Sequence, residues 1–313
     1  MEFLRLNQFP LWKAHFALLM VNVLYGANHV LAKGIMPNFL TPTVFILLRV
    51  TGATLLFWFI FRIWKYEKVA RKDFGLLALC GLFGVAINQL CFFHGLHLSS
   101  AFNSGVIMSM NPIMVVILSF FLVKERLNAI KIVGIIIGAV GAILLSWKSA
   151  TASNSSLFGD FLLLVNSLSY AIYLVIAKPL MQRYKPFTVI TYVFTFGLIF
   201  VLLFPLTIPE FLKTNFASFP AEILGKIAYV IVGVTFLTYL LTMYGLNFLS
   251  ATVSSSYIYT QPILVVGFTF LFAFLGWSDD YRSTITAEKI LYMFVIFLGV
   301  YMTSRGKNSK SQG

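Results

Sequence analysis

Long apolar runs, separated by short polar segments, recur along almost the whole chain. Each run has about 20 residues, the length that a helix needs to cross the hydrocarbon core of a bilayer. The runs are continuous and do not alternate with a period of two, which favours helices over the strands of a membrane barrel. The pattern predicts ten membrane-spanning helices, near residues 13–33, 42–62, 74–96, 100–122, 130–147, 158–178, 187–206, 223–246, 251–275 and 287–304.

The composition agrees with this pattern. Of the 313 residues, 59% are apolar and only 11% are charged, whereas soluble domains contain about 25% charged residues. A soluble fold has no interior large enough to hide so much apolar surface, which excludes soluble enzymes, disordered chains and disulfide scaffolds. We therefore expect an all-α integral membrane protein with no separate soluble domain.

The formal net charge of +13 is distributed in a way that indicates topology. If both termini are cytoplasmic, 16 of the 23 Lys and Arg residues lie in cytoplasmic segments and 6 lie in the opposite segments, while Arg49 lies within a span. Cytoplasmic loops of membrane proteins carry such an excess, and it also attracts anionic lipid headgroups. We expect a multi-pass plasma membrane protein (inner membrane in a Gram-negative cell) with both termini in the cytoplasm, and no nucleic acid as a partner.

The two halves of the chain repeat each other in collinear order. The clearest matches are Tyr25 to Lys33 with Tyr170 to Lys178, His94 to His97 with Tyr244 to Asn247, and Asn111-Pro112 with Gln261-Pro262. The sequence positions are offset by 145 to 150 residues at these matches. A duplicated unit is therefore expected.

Five spans in each repeat, an odd number, place the two halves in opposite orientations in the membrane. We expect a first repeat over 1–147, a polar linker over 148–157, a second repeat over 158–304 and a basic tail over 305–313. Inverted repeats around a site at the bilayer midplane are common in secondary transporters. The alternative is a duplication that builds a stable bundle and nothing more.

The sequence resembles the EamA-type permeases of the drug/metabolite transporter superfamily over essentially the whole chain. The resemblance rests on Gly81 to Gln89, Gly95 to Ala101, Asn111-Pro112, the Lys124–Leu127 turn and the Gly134–Gly138 motif, with Gly245 to Ala251 and Gln261-Pro262 in the second half. It implies a ten-helix bundle whose central cavity is lined by spans 1, 3, 4, 6, 8 and 9. The order of the segments is also similar to amino-acid exporters and nodulin-type plant permeases. Where the second half of such proteins repeats an acidic turn, this chain has an insertion around Trp277.

Polar side chains within the spans are the candidate binding residues, because lipid penalises them unless they face a cavity or another helix. The repeat selects Gln89 with Tyr239 and His94 with Tyr244 as matched pairs, and proline after Asn111 and Gln261 frees a carbonyl one turn back. Tyrosines inside spans offer rings and hydroxyls to an amphipathic solute. The predicted cavity residues are Asn28, Gln89, His94, Asn111, Tyr170, Tyr173, Tyr239, Tyr244 and Gln261. At each position a hydrogen bond between helices is the alternative.

Other conspicuous residues have less specific patterns. Arg49, about two turns inside its span, can bind a carboxylate, but the peripheral second span that the resemblance implies favours an arginine that extends to the headgroups. His94 and His97 have a spacing that can chelate a metal, yet no carboxylate within a span joins them, so we expect no metal, no cofactor and no catalytic residue. Gly134 and Gly138 indicate close helix packing, within the chain rather than between chains.

These features together predict a secondary transporter, a permease or exporter that moves small metabolites by alternating access. Amino acids are the substrate class that we favour. An intramembrane enzyme that uses the histidine pair is one alternative, and a lipid flippase or accessory membrane subunit is another. The expected partners are a small-molecule substrate and membrane lipids, with the protein a monomer or homodimer.

The distribution of acidic residues bears on energy coupling. Every Asp and Glu lies in a loop or at the end of a span, so no carboxylate is placed to carry protons through the membrane interior. We therefore expect a facilitator driven by the solute gradient, with proton coupling through His94 as the alternative, since histidine titrates near neutral pH.

Overall fold

The computed structural model describes residues 11–36, 39–63, 67–123, 129–151, 156–249, 253–254 and 257–305. Within these ranges the chain forms ten long apolar helices and no strands. They are α1 (Leu11–Ile35), α2 (Pro42–Ile63), α3 (Arg71–Leu98), α4 (Ala101–Met108, continued by Asn111–Val123), α5 (Ala129–Thr151), α6 (Leu157–Met181), α7 (Pro186–Leu203), α8 (Ala221–Phe248), α9 (Tyr257–Leu275) and α10 (Ala287–Arg305).

Eight of these helices are long and apolar enough to cross a membrane, and α5 contains a further apolar stretch over Ala129–Leu145. The predicted all-α membrane fold with ten transmembrane helices is confirmed. The Lys124–Leu127 turn, residues 152–155 of the linker and residues 306–313 of the tail lie outside the described residues. A short helix, Thr207–Lys213, connects α7 towards α8.

Contacts between the helices follow a two-fold symmetry. Helix α1 packs against α8 and α9, and its counterpart α6 packs against α3 and α4. Likewise α2 packs against α8 as α7 packs against α3, whereas α2 with α7 and α5 with α10 are pairs that the symmetry maps onto themselves. Exchanging the two halves maps each of these contacts onto another of them or onto itself, as two inverted five-helix repeats require.

Glycines bring α5 and α10 into close contact at one side of the bundle. A Cβ on Gly299 would lie 2.3 Å from the backbone nitrogen of Gly138 and 2.6 Å from the carbonyl oxygen of Gly134. On the other half of the contact, a Cβ on Gly141 would lie 2.8 Å from a side-chain carbon of Ile296. The Gly134–Gly138 motif therefore packs within the chain, against the helix that is its own symmetry counterpart.

Symmetry-related lysines serve the ends of α3 and α8. The ammonium group of Lys33, near the end of α1, donates to the last carbonyl oxygens of α3, and Lys178 in α6 does the same at the end of α8. The acceptors are Leu96, His97 and Ser99 for Lys33, at 2.8, 2.7 and 2.6 Å, and Leu246 and Leu249 for Lys178. The last carbonyls of a helix have no partner within the helix and carry partial negative charge, which a cation stabilises. Lys178 lies on the side of the bundle where α1 begins and α10 ends, and Lys33 lies on the opposite side.

The acidic residue at the start of α6 is fully buried, although it lies at the end of a span. Asp160 is 1% exposed. It accepts a hydrogen bond from the hydroxyl of Ser99 at 2.5 Å, and Asn103 donates to both of its oxygens at 3.3 and 3.5 Å. The carboxylate thus ties the junction of α3 and α4 to α6, on the face opposite the termini.

The insertion in the second half begins with a defined helix end. Helix α9 stops at Gly276, which has φ of 69°, a left-handed conformation that glycine adopts without strain. The amide of Trp277 then donates to the carbonyl of Phe272 at 2.9 Å, the closing bond of a common helix C-terminal motif.

Candidate functional site

A small cavity lies at the centre of the bundle, between α1, α2, α3, α4, α6, α8 and α9. Its volume of about 60 Å³ has room for only a few water molecules. The lining residues are Tyr25, Asn28, His29, Arg49, Asn88, Gln89, Phe92, Met108, Asn111, Asn166, Tyr170, Tyr239, Ile258 and Gln261. Both halves of the chain contribute lining residues. Helix α2 also lines the cavity, through Arg49, although the family resemblance did not imply this helix.

The symmetry axis passes through a direct hydrogen bond in the lining. Gln89 of α3 and Tyr239 of α8 occupy equivalent positions of the two repeats, and Gln89 Nε2 donates to the Tyr239 hydroxyl at 2.7 Å. That hydroxyl donates onward to the carbonyl of Gly84 at 2.8 Å. Gly84 lies in a π-helical segment, Leu82–Ala86, and α8 has its own over Val230–Leu237. Such segments loosen the regular helix ladder and are frequent at functional sites.

Two further amides form a second symmetric set. Asn111 Nδ2 donates to the carbonyl of Ser167 at 2.8 Å, and Gln261 Nε2 donates to Oδ1 of Asn22 at 2.9 Å. Ser167 and Asn22 are themselves equivalent positions of α6 and α1. With their NH₂ groups committed, the oxygens Asn111 Oδ1 and Gln261 Oε1 are buried with no hydrogen-bond partner among the described residues, and the same is true of Asn28 Oδ1. Buried acceptors without a donor are rare in folded proteins.

Arg49 reaches this cavity from α2 rather than extending to a headgroup region. It is 2% exposed, its Nε donates to the hydroxyl of Thr235 at 2.9 Å, and its guanidinium carbon lies 4.4 Å from the centre of the Phe93 ring. Helix α8 can come this close because Gly52 has no side chain: a Cβ there would lie 2.7 Å from a side-chain carbon of Ile231. The expected snorkelling arginine is therefore not what the structure shows.

The remaining wall of the cavity is largely aromatic. Tyr25 and Tyr170, equivalent residues of α1 and α6, both line it together with Phe92. The ring of His29 lies edge-on to Phe92, with centroids 5.1 Å apart, and its Nδ1 is 2.5 Å from the hydroxyl of Ser104. The site therefore combines polar amides and one guanidinium with flat apolar surfaces.

The structure brings six of the nine predicted residues to the cavity and places three elsewhere. Asn28, Gln89, Asn111, Tyr170, Tyr239 and Gln261 line it. Of the others, His94 bonds to the hydroxyl of Thr43 at 3.1 Å, the Tyr173 hydroxyl donates to the sulfur of Met243 at 3.3 Å, and the Tyr244 ring lies edge-on to Phe248 with centroids 5.1 Å apart.

Helix geometry explains why two of these three point away. His94 follows Gln89 by five residues, and Tyr244 follows Tyr239 by five, so each is turned by about 140° from the cavity-facing residue at 100° per residue. Asn88, Gln89 and Phe92 instead share an arc of α3. That spacing was visible in the sequence and would have selected Asn88 over His94.

Besides Asn88, the selection from the sequence missed four polar lining residues, Tyr25, His29, Arg49 and Asn166, and the apolar residues Phe92, Met108 and Ile258. The match of Tyr25 with Tyr170 was a usable signal, as was the rarity of an arginine within a span. Asn166 had no such signal. It exchanges bonds with Asn88, since its Nδ2 donates to the Asn88 carbonyl at 2.7 Å, and only the packing of α6 on α3 shows this.

In the described part of the chain, no group of three or more His, Cys, Asp or Glu side chains is placed to hold a metal ion.

A polytopic bundle of inverted repeats around a buried polar cavity defines the class of protein as a membrane transporter. The chain belongs to the EamA-like transporter family, whose model matches residues 12–147 and again residues 157–305. The two matches correspond to α1–α5 and α6–α10.

Several relatives carry compatible descriptions. An uncharacterized transporter of Archaeoglobus fulgidus is 27% identical over 86% of this chain and 90% of its own length. The uncharacterized transporter YetK of Bacillus subtilis is 25% identical over 64% of this chain and 61% of its own. The WAT1-related protein At4g30420 of Arabidopsis thaliana is 27% identical over 54% of each chain. A solved crystal structure is similar in fold, with a TM-score of 0.60 at 16% identity over 93% of this chain and 94% of that one.

Proposed function

We propose that the protein is a secondary transporter that moves small metabolites, with amino acids as the substrate class, by alternating access. The observation that carries this proposal is the position of the cavity. It lies on the symmetry axis, where Gln89 and Tyr239 meet, and equivalent residues of the two halves line it. Exchange of conformation between such halves turns the same site from one face of the membrane to the other.

The size of the cavity supports a closed intermediate in this cycle. The cavity holds only a few waters, and the amide side chains that line it are at most 8% exposed. It must therefore widen before a metabolite enters. On one face Lys33 joins α1 to the end of α3, and on the other Lys178 joins α6 to the end of α8. Separation of these contacts, one at a time, is the opening that the proposal requires.

The membrane and orientation are part of the proposal. The excess of Lys and Arg in the segments on the side of the termini supports cytoplasmic termini. We place the protein in the plasma membrane, where it acts as a facilitator. His94, the residue considered for proton coupling, bonds to Thr43 away from the cavity lining, which supports transport driven by the solute gradient.

A reconstitution experiment tests the transport function. Purified protein in liposomes is offered each of the twenty amino acids and a set of other metabolites, with an empty-liposome blank. We expect saturable uptake or counterflow without ATP, and no accumulation driven by a pH gradient alone. Stabilisation of the protein by lipids only, with no solute moved, would contradict the proposal and favour a lipid-handling role.

A matched pair of tyrosine variants links uptake to the cavity. Tyr239→Phe removes the hydroxyl that bonds to Gln89 and Gly84. We expect transport to fall about tenfold, because a buried polar group left without its partner costs about 1–3 kcal/mol. Tyr292→Phe changes a tyrosine of α10, a helix that contributes none of the described lining residues, and we expect it to transport as the unaltered protein does. Equal activity of the two variants would remove the cavity from the transport path.

A further inference from the structure

We infer that the cavity selects solutes with both a carboxylate and an ammonium group. Arg49 binds the carboxylate, and the amide oxygens of Asn28, Asn111 and Gln261 accept the hydrogen bonds of the ammonium. This inference rests on the transport function proposed above and names the groups through which the same site recognises its solute.

The first support is the unsatisfied charge of Arg49. A guanidinium keeps its charge at any working pH and has five N–H donors in a fixed fork. Here Nε alone donates, to Thr235, and no described carboxylate forms an ion pair with the group. A buried charge without a counter-ion is costly, and the planar fork suits a carboxylate bound through two parallel hydrogen bonds.

The cavity itself supplies no anion for this arginine. Of the described residues that line it, none is Asp or Glu, and Arg49 is the one with a permanent charge. The Phe93 ring beneath the guanidinium partly stabilises the cation, and it leaves the edge with the terminal nitrogens for a ligand. The anion that completes the site must therefore arrive with the solute.

The second support is independent and concerns the amide oxygens. Asn22 Nδ2 donates to the carbonyl of Leu18 at 2.7 Å, so its Oδ1 faces Gln261 and must accept. This fixes the Gln261 amide with its nitrogen on Asn22 and its oxygen elsewhere. The bond from Asn111 Nδ2 to the carbonyl of Ser167 fixes that amide in the same way.

As a result, three buried carbonyl oxygens around one cavity accept no hydrogen bond that meets geometric criteria among the described residues: Asn28 Oδ1, Asn111 Oδ1 and Gln261 Oε1, the last with the ring of His29 as a neighbour. An ammonium group has three N–H donors and no acceptor, which matches this set. A hydroxyl brings one donor and also brings lone pairs that the oxygens cannot use. The acceptors thus favour a cationic nitrogen, at a position where no negative charge of the protein competes for it.

Between the two groups, the rings of Tyr25, Phe92 and Tyr170 offer apolar surface to the rest of the solute. An amino acid with an apolar side chain fits this combination. A solute that lacks either charge leaves a buried cation or buried acceptors without partners, and sites of this kind discriminate strongly against such analogues.

Isosteric analogues test the inference by binding and by transport. Leucine is compared with leucinamide, which has no carboxylate, and with 4-methylpentanoate, which has no amine; the phenylalanine, phenylalaninamide and 3-phenylpropanoate series is run in parallel. For at least one series we expect the amino acid to bind about tenfold or more tightly than both analogues. Equal binding of amino acid and analogues, or binding of none of the six, would overturn the inference.

Variants assign each charge to its residue. In Arg49→Gln the amino acid should bind no better than its amide, whereas Arg49→Lys should keep a preference for the acid with lower affinity, which preserves the test if the glutamine variant does not fold. The double variant Asn111→Leu, Gln261→Met should lose the preference for the amine and keep the preference for the carboxylate. Arg62→Gln, at the exposed end of the same helix, is the control and should keep both preferences.

The outcomes separate this inference from the transport function. If other metabolites are taken up but charge on the solute makes no difference, the protein is a transporter and Arg49 has another role, so the inference fails alone. If no solute is moved, the transport function fails with it. A preference for the carboxylate that persists unchanged in Arg49→Gln as well as in Arg49→Lys would refute the assignment of the carboxylate to Arg49.

Discussion

The lysines at the ends of α3 and α8 give a quantitative test of the symmetric architecture. Lys33→Met keeps the length of the side chain and removes its charge. Three carbonyl oxygens then lose their donor, those of Leu96, His97 and Ser99. A hydrogen bond to a charged group contributes about 1.5–3 kcal/mol, and a cation at a helix C-terminus adds about 0.3–1 kcal/mol. Because one ammonium serves all three acceptors, the contributions do not add fully.

We therefore expect Lys33→Met to reduce the free energy of unfolding by about 3 kcal/mol, the sum of one strong charged bond and the dipole effect with part of a second bond. Lys178→Met, where the two acceptors are Leu246 and Leu249, should lose about 2 kcal/mol on the same basis. At about 2–4 °C per kcal/mol for a chain of this size, the first variant should melt roughly 6–12 °C lower.

The assay is thermal unfolding in detergent, followed by tryptophan fluorescence and by retention on size exclusion. Lys213→Met is the matched control: it changes an exposed lysine in the last turn of the short helix before α8, where such substitutions stay within about 0.5 kcal/mol. If Lys33→Met melted together with this control, the carbonyls at the end of α3 would not depend on the lysine, and the estimate above would be refuted.

Three further predictions concern packing, coupling and the loop before α10. Gly299→Ala should destabilise the protein by about 1–3 kcal/mol, because its Cβ would meet the backbone of α5, whereas Gly267→Ala, with open space around its Cβ, should be neutral or stabilising in the same melting assay. His94→Gln should leave substrate affinity unchanged, and uptake by both the variant and the unaltered protein should be insensitive to a pH gradient; gradient-driven uptake that the unaltered protein shows and the variant lacks would make this residue a proton carrier. The guanidinium of Arg282 lowers the pKa of Asp280 from 3.8 to about 2, so their contact stabilises the loop above the ordinary pKa and is lost as the pH falls towards 2. Carboxyl NMR titration should give that low midpoint, and a midpoint that Arg282→Gln does not raise would contradict the assignment.

The fold was predictable from the sequence because the bilayer imposes a length on every span. Ten apolar runs, an odd number in each repeat and the bias of Lys and Arg were enough to predict the inverted architecture. The boundaries moved by only a few residues, as in α4, predicted at 100–122 and observed to start at Ala101 and end at Val123. Propensity had little part in this, since in lipid the backbone must satisfy its own hydrogen bonds in any case.

The candidate site was only partly predictable, for reasons that individual residues make clear. Matching the repeats selected Gln89 with Tyr239, which meet at the symmetry axis and line the cavity. The same matching selected His94 with Tyr244, which are equally symmetric but pack against neighbouring helices away from the cavity. Arg49 was assigned to a peripheral helix, and only the approach of α8 over Gly52 shows that its guanidinium enters the cavity.

The hydrogen bond between Gln89 and Tyr239 has a consequence for which way the transporter rests. If the two repeats were identical at every position, the two end states of the proposed cycle would be related by the two-fold axis and equal in free energy. An amide on one side of the axis and a phenol on the other remove that degeneracy. A difference of about 1.4 kcal/mol is enough to populate one state tenfold over the other. A pair of substitutions at the axis can thus reverse which face the empty site prefers, with no change to the surrounding scaffold.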